Sequence, residues 1–549
     1  MTAIESSLPP TLEARMFAEK AARSVSEIQH GVNSIADVVV FLEILGYDDR
    51  IVSKTGFGNL TVLAKYVYNF LDHYENPQDR PEWTRMGEPA EGKRKRLLEA
   101  LAVQTPWLGA LVILNIMGFS LWMAQGLPAD VTISFVSGVF LGLFITEGPL
   151  QMFSRLFYMY HEQRNVGETK RSVKRSYAVT IAIMAITAAL VLAYSTTQEA
   201  PAILTTITLG AMATVGLHRL SFNIIFTLKK LRAVFTSYSF AFIALALTYY
   251  IIPAPDVATR YFTALGVAFV VLSIFAARYH FKIVTKGNRA KSADRSAPAF
   301  YAPPTTTEKT VNSRFGIQLW ESLPFALYGT SYFILLLGDR VLSWIFNPHV
   351  VIASNGELLA MTFNAEYHVG ADIALLALIP AAIVQYMLMA PLYSSIHNRA
   401  LGLSVGDAGK LDQFLRSSYK RMILLVILSA AGSVGLLNLF GPEVINYFNG
   451  TEDSLEVMRY SSVGNIALSV FTANALIMMF LNRAKIPAIM AVAGAVLTMV
   501  LGSFLAQEGF EDIALGYAIA CAAAAGLSFA GVQKILKGSP VSNLLARYS

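Results

Sequence analysis

Four residues of one apolar stretch carry the side chains best suited to chemistry. Glu321, Tyr328, Tyr332 and Asp339 are separated by seven, four and seven positions, so on a helix they share one face. A carboxylate at the centre of a bilayer costs about 3 kcal/mol or more, and it therefore faces a water-filled cavity or a partner. Gly329, Thr330 and Ser331 lie among the four, and Arg340 follows Asp339. One reading is a polar stripe lining a path for a substrate. The other places Asp339 and Arg340 near the outer membrane surface, paired with neighbours and holding the fold. Glu147 poses the same choice. It stands beside Gly148-Pro149, an expected helix interruption whose freed backbone groups could meet a ligand. Alternatively it pairs with a basic residue at the inner surface, such as Arg155. Pro380 and Gln385 could bend a helix and line a cavity, or only kink it. Asn465 and Asn474 are expected to bridge helices. Trp107, Trp122 and Trp344 are expected in the interfacial belts, with sugar stacking as a second role.

Catalytic signatures are missing. The sequence has no P-loop, no HExxH, no GxSxG in a usable context and no paired His/Cys spacing for a metal. Its single cysteine, Cys521, lies in an apolar stretch, which excludes a disulfide framework. Glu443, Glu452, Asp453 and Glu456 read as a solvated acidic loop. The expectation is a protein that is not an enzyme and uses no cofactor or metal.

The elements that position these residues follow from composition. Of 549 residues, 54% are apolar and only 15% charged, against roughly 25% charged in soluble domains. The charges crowd into residues 1–97, short loops and the stretch 278–315. Between them lie runs of the length a bilayer requires: 104–124, 130–153, 177–195, 201–227, 233–253 and 258–278, then 317–346, 370–396, 420–440, 457–481, 486–506 and 512–535. Loop charges alternate. One set holds Arg155, Arg164, Lys170, Arg171, Lys174 and Arg175, then Arg219, Lys229, Lys230 and Arg232, then Arg399, Lys410, Arg416, Lys420 and Arg421, then Arg483 and Lys485; the opposite set holds little beyond Arg260 and Arg459. Basic loops stay on the cytoplasmic side. The net charge of +6 is therefore read as topology anchoring, with no nucleic-acid partner implied.

The predicted fold is all-α: a polytopic membrane protein of about twelve transmembrane helices in two six-helix lobes. A small helical cytoplasmic region covers 1–97, with a break at Gly46-Tyr47-Asp48-Asp49. The first lobe spans 98–278, a cytoplasmic linker 279–315, the second lobe 316–537 and a cytoplasmic tail 538–549. No secretory signal opens the sequence. Both termini are expected in the cytoplasm and the protein in the inner cell membrane. Spans two and eight both end in a Pro-containing segment, 147–151 and 389–393, followed by a basic stretch, which hints at an internal repeat.

Three stretches resemble the multidrug/oligosaccharidyl-lipid/polysaccharide (MOP) exporter superfamily. Gly402–Asp407, running on to Arg416, is similar to its cytoplasmic helix after span eight. Leu476–Pro487 is similar to its turn between spans ten and eleven, and Asp512–Ala520 to the start of its last span. Within it, Thr105–Leu108, Phe144–Arg155, Tyr332–Phe346 and Tyr367–Pro380 resemble the membrane subunit of Pel-type exopolysaccharide exporters. Residues 1–97 have no counterpart there. The resemblance implies a two-lobed MATE/MOP-like bundle that opens alternately to the two membrane faces and exports a polysaccharide or lipid-linked glycan. It implies membrane lipids, a cytoplasmic glycosyltransferase and other exporter subunits as partners. The positions it carries over are Glu147, Arg155, Asp339 and Arg340, with Glu321, Tyr328, Tyr332 and Gln385 expected along the path. Ion-coupled drug or metabolite efflux, and a non-transporting scaffold for glycan-synthesis enzymes, are the competing expectations.

Overall fold

The computed structural model describes residues 12–28, 35–53, 55–57, 59–74, 93–116, 127–162, 166–228, 230–293, 315–348, 361–402 and 408–538. Among them every regular element is helical. The chain divides into two compact units, Met1–Gly92 with Met389–Ser418, and Lys93–Leu388 with Tyr419–Ser549.

In the first unit four helices, α1 (Leu12–Ile28), α2 (Ile35–Ile44), α3 (Asp49–Ser53) and α4 (Leu60–Tyr74), enclose a core of their own. Ala14, Ala18, Ala21, Ala22 and Val25 of α1 are buried at helical spacing, which leaves one apolar face for α4. The expected break is present. Gly46 takes φ +84°, the left-handed conformation that ends many helices. Its N–H bonds to Glu43 O at 2.9 Å. Asp49 Oδ1 accepts the N–H of Leu60 at 2.7 Å and so ties α3 to the start of α4.

The second unit holds the long apolar helices, apart from residues 389–402 of α13 and 408–418 of α14, which fall in the first. The first half comprises α5 (Lys93–Ile116), α6 (Ala129–Glu162), α7 (Val166–Thr197), α8 (Ala202–Thr227), α9 (Leu231–Ile251) and α10 (Val257–Ala293). The second comprises α11 (Phe315–Ile345), α12 (Ala365–Ala374), a 3₁₀ turn (Leu375–Ala377), α13 (Leu378–Gly402), α14 (Ala408–Tyr447), α15 (Glu452–Phe480), α16 (Lys485–Leu505) and α17 (Asp512–Lys537). Among the described residues, eleven of these stretches are long and apolar enough to cross a bilayer. The other expected span, 104–124, is described only as far as Ile116. Lipid accounts for their surface. The apolar window of α7 is only 17% buried by protein, and Ile186 and Leu190 point outward with 63% and 66% of their surface bare.

The two halves share several helix pairings. In the first, span one packs on five, two on four, four on six and five on six; the second half uses the same four pairings. The halves meet where α6 lies against α11. Glycines permit the close approach. A Cβ on Gly329 would stand 3.1 Å from the carbonyl oxygen of Glu147, and one on Gly148 3.1 Å from that of Ala326. Some expected boundaries move. The helix of the first span begins at Lys93, inside the expected N-terminal region, and α10 runs to Ala293, well into the expected linker.

One expectation about prolines is corrected, that of a break at Pro149, whereas the bend expected at Pro380 is present. Helix α6 is continuous through Pro149, so Glu147 does not stand at a break. The real interruption is the 3₁₀ turn at Leu375–Ala377. Pro380 explains it: the ring has no N–H for the Leu376 carbonyl and crowds it, so the preceding turn tightens.

Candidate functional site

The expected stripe on α11 divides into separate environments. Glu321 is exposed, Tyr328 and Tyr332 are half-buried and stack on each other with centroids 6.0 Å apart, and Asp339 has no exposed surface. Asp339 and Arg340 are therefore buried within the protein, near the end of α11 at Ile345, and they pair with neighbours. Arg340 is only 2% exposed. Its Nη1 donates to Asp339 Oδ1 at 3.2 Å and to the Leu336 carbonyl at 3.2 Å, and its Nε donates to Asp372 Oδ1 at 3.1 Å. Tyr367 donates its hydroxyl to Asp339 Oδ2 at 2.7 Å. Helix α12 thus supplies Tyr367, His368 and Asp372 to a cluster that α11 begins.

His368 completes it. The indole N–H of Trp344 can only donate, and it lies 2.8 Å from His368 Nε2. Nε2 is therefore the acceptor, and the ring proton sits on Nδ1, 3.8 Å from Asp372 Oδ2. Asp339 and Asp372 are two buried carboxylates that share one guanidinium, that of Arg340. Arg340 Nη2 is buried with no hydrogen-bond partner. Trp344 is a core residue at 2% exposure, which corrects its assignment to an interfacial belt. The side chains of Trp107 and Trp122 lie outside the described residues.

A second polar set occupies the contact between the halves. Glu147 of α6 is buried and pairs with Arg219 of α8, while Gln151 Nε2 donates to its Oε1 at 2.7 Å. The Arg219 guanidinium lies over the Phe333 ring of α11, 5.0 Å from its centroid. Arg155 is not the partner of Glu147. It lies 4.5 Å over Phe325 of α11 and reaches Asn482 Oδ1 at 3.4 Å, in the turn between α15 and α16 that the sequence places there. Asn482 holds φ +56°, which asparagine tolerates better than most residues. Glu147, Gln151 and Arg155, four residues apart, so form a ladder from the first half toward the second.

No protein-family model matches the sequence, and no curated protein matches it. Solved structures do match. They include MATE in complex with MaD3S, with a TM-score of 0.54, 15% identity, and 81% of this chain and 94% of that one covered. The outward-facing conformation of a multidrug resistance MATE family transporter of the MOP superfamily aligns at TM-score 0.51 and 15% identity over the same shares. Its inward-facing counterpart aligns at 0.53 and 13%, over 81% and 95%. The fold is MATE-like.

Within this MATE-like fold the remaining residues tie helices together. Gln385 is buried and donates to the Ser469 carbonyl at 2.8 Å and to Thr472 Oγ1 at 3.1 Å, joining α13 to α15. Asn465 and Asn474 bridge helices as expected. Asn465 donates to the Ala374 carbonyl at 2.7 Å, one turn before the 3₁₀ interruption reaches Leu378, and accepts the Tyr517 hydroxyl at 2.7 Å. Asn474 joins Tyr419 to Ser528 at 2.8 and 2.9 Å. The sequence reading missed Asp372 and His368. Asp372 lay within an expected span and obeyed the same rule that singled out Asp339.

Proposed function

We propose that this protein is a membrane transporter that works by alternating access and exports a polysaccharide or lipid-linked glycan across the cytoplasmic membrane. The observation that carries the transport reading is the pair of halves with four helix pairings in common, joined along α6 and α11. Their contact is asymmetric. Toward the ends where α6 starts and α11 finishes it is apolar and dense, with Val136, Val139 and Phe140 against Leu336, Leu337 and Trp344. Toward the basic loops it carries Glu147, Gln151 and Arg155, the last two exposed. A seam closed at one end and polar at the other suits a cleft that opens to one side at a time. MATE-like structures facing either way are consistent with it. The glycan cargo rests on the resemblance of Phe144–Arg155 and Tyr332–Phe346 to Pel-type exporters. In this reading Tyr328, Tyr332, Glu321, Glu147 and Arg155 line the path, and a cytoplasmic glycosyltransferase supplies the polymer.

A second reading, ion-coupled efflux of a drug or metabolite, is favoured by one observation: two buried carboxylates, Asp339 and Asp372, that share the single guanidinium of Arg340. The two readings separate in proteoliposomes. A fluorescent lipid-linked oligosaccharide should become accessible to periodate on the far leaflet faster than in protein-free vesicles, while ethidium should not accumulate under a proton or sodium gradient. The reverse pattern would select efflux. Movement of neither cargo, with pull-down of glycosyltransferases intact, would select the scaffold.

A further inference from the structure

The ends of α6, α7 and α8 nearest the basic loops enclose a cavity that the transport reading does not use. Its volume is about 10 Å³, room for one water-sized group. Between apolar walls it is lined by Ser154, Ser172, Ser176, Asn223 and Thr227. Thr227 is the last residue of α8, and the uninterrupted apolar run of α7 begins only after Ser176. The cavity therefore lies at the level of lipid headgroups.

Its polar atoms specify a chemistry. Ser172 is 2% exposed, and its hydroxyl has no hydrogen-bond partner. Leaving such a group unpaired is costly, and a hydroxyl can both donate and accept. Asn223 accepts from Ser154 at 2.8 Å and donates to the Leu150 carbonyl at 3.2 Å. Thr227 donates to the Asn223 carbonyl at 2.8 Å, so its oxygen keeps lone pairs for an incoming donor. No charged side chain is among the lining residues. Donors and acceptors without charge select a neutral hydroxyl over an ion. Charge stands at the rim instead. Arg171 and Arg175, each one position before a cavity serine, pair with Glu168 and still expose 43% and 35% of their side chains. Lys174 between them is exposed. An exposed guanidinium matches phosphate oxygens, and basic pockets between membrane helices bind anionic headgroups.

We infer that this cavity is a headgroup site for an anionic phospholipid of the phosphatidylglycerol kind. A headgroup hydroxyl enters between Ser172, Ser154 and Thr227, while Arg171 and Arg175 take the phosphate. Water offers the same hydroxyl chemistry; the basic rim favours the lipid. The bound lipid would tie α7, whose apolar window is only 17% buried by protein, to α6 and α8.

The test is native mass spectrometry of the purified full chain, incubated with equal amounts of phosphatidylglycerol and phosphatidylethanol of the same acyl chains. Both carry one phosphodiester charge, and only the first has headgroup hydroxyls. The wild type should hold phosphatidylglycerol about tenfold more tightly, the worth of a neutral hydrogen bond or two. S172A should bring the two lipids to parity. It should leave the unfolding temperature of the delipidated protein unchanged, because the hydroxyl it removes makes no bond. T227V, similar in shape, should lower the preference in the same direction and keeps the test open should S172A misfold. R171Q/R175Q should weaken both lipids by a similar factor without changing their ratio. Equal binding of the two lipids by the wild type, the result for a cavity that holds water only, overturns the proposal. So does a preference that survives S172A and T227V, or binding of both lipids undiminished in R171Q/R175Q.

Discussion

Single side chains carry the strongest energetic statements, because each buried polar group in a bilayer needs a partner. The Glu147–Arg219 pair decides between holding the fold and touching cargo. Removing one member leaves the other uncompensated, and breaking a buried pair costs about 3 kcal/mol. E147Q and R219Q should each lower the unfolding temperature in detergent, and the double variant should recover much of the loss. Double-variant transport at the wild-type rate would make the pair structural; stability recovered without transport would place it on the path. Asn465 offers a second test. N465A removes the bonds to the Ala374 carbonyl and the Tyr517 hydroxyl. Two interhelical bonds of about 0.6 kcal/mol each predict a stability loss of roughly 1 kcal/mol, read by the same thermal assay. These asparagines were legible in the sequence, since an amide inside an apolar span has few uses other than bridging. The role of Asp339 and Arg340 was half legible. Their burial followed from the span, but their partners Asp372 and His368 come from α12, and helical periodicity within α11 says nothing of which helix packs against it.

At the level of elements, the crossing of α6 and α11 depends on two glycines. A side chain at 329 would meet Gln151 Cγ at 2.7 Å and the Glu147 carbonyl at 3.1 Å. G329V forces the helices apart, and overpacking of this kind costs about 1 to 3 kcal/mol. The expected outcome is a protein that inserts but unfolds earlier and transports more slowly. G432V should do neither, because nothing lies within 4 Å of a Cβ there. The sequence showed both helices but not their meeting, and it misjudged the proline of α6. Glu147-Gly148-Pro149 looked like a break, yet a proline deprives a helix of only one bond, and α6, packed against α8 and α11, stays helical through it. The break that does occur, at Leu375–Ala377, has its cause five residues on, at Pro380. Asn465 satisfies the backbone there, a long-range compensation that local patterning cannot reveal.

For the whole molecule, orientation follows from charge, and it can be checked without knowing the cargo. Helices α6 to α17 fix which loops share a side. The turns at Gln198 and Glu508 lie on one side, and those at Arg232 and Lys485 on the other. The second set is the basic one, and lysine and arginine resist translocation. Lipid-facing α7, α8 and α14 bury less than a quarter of their apolar windows in protein, so the bilayer must cover them and the loops must emerge on opposite faces. Cys521 is buried, which leaves a silent background for single cysteines. Q198C and E508C should react with a membrane-impermeant maleimide in intact spheroplasts. R232C and K485C should react only after permeabilisation. In the proposed reading, the same ordering would put Arg155 and Asn482 on the cytoplasmic side, where a polymerising enzyme would deliver its product. Labelling of R232C in intact spheroplasts would invert the protein, put the His368 end of the seam inside, and turn the export reading into one of import.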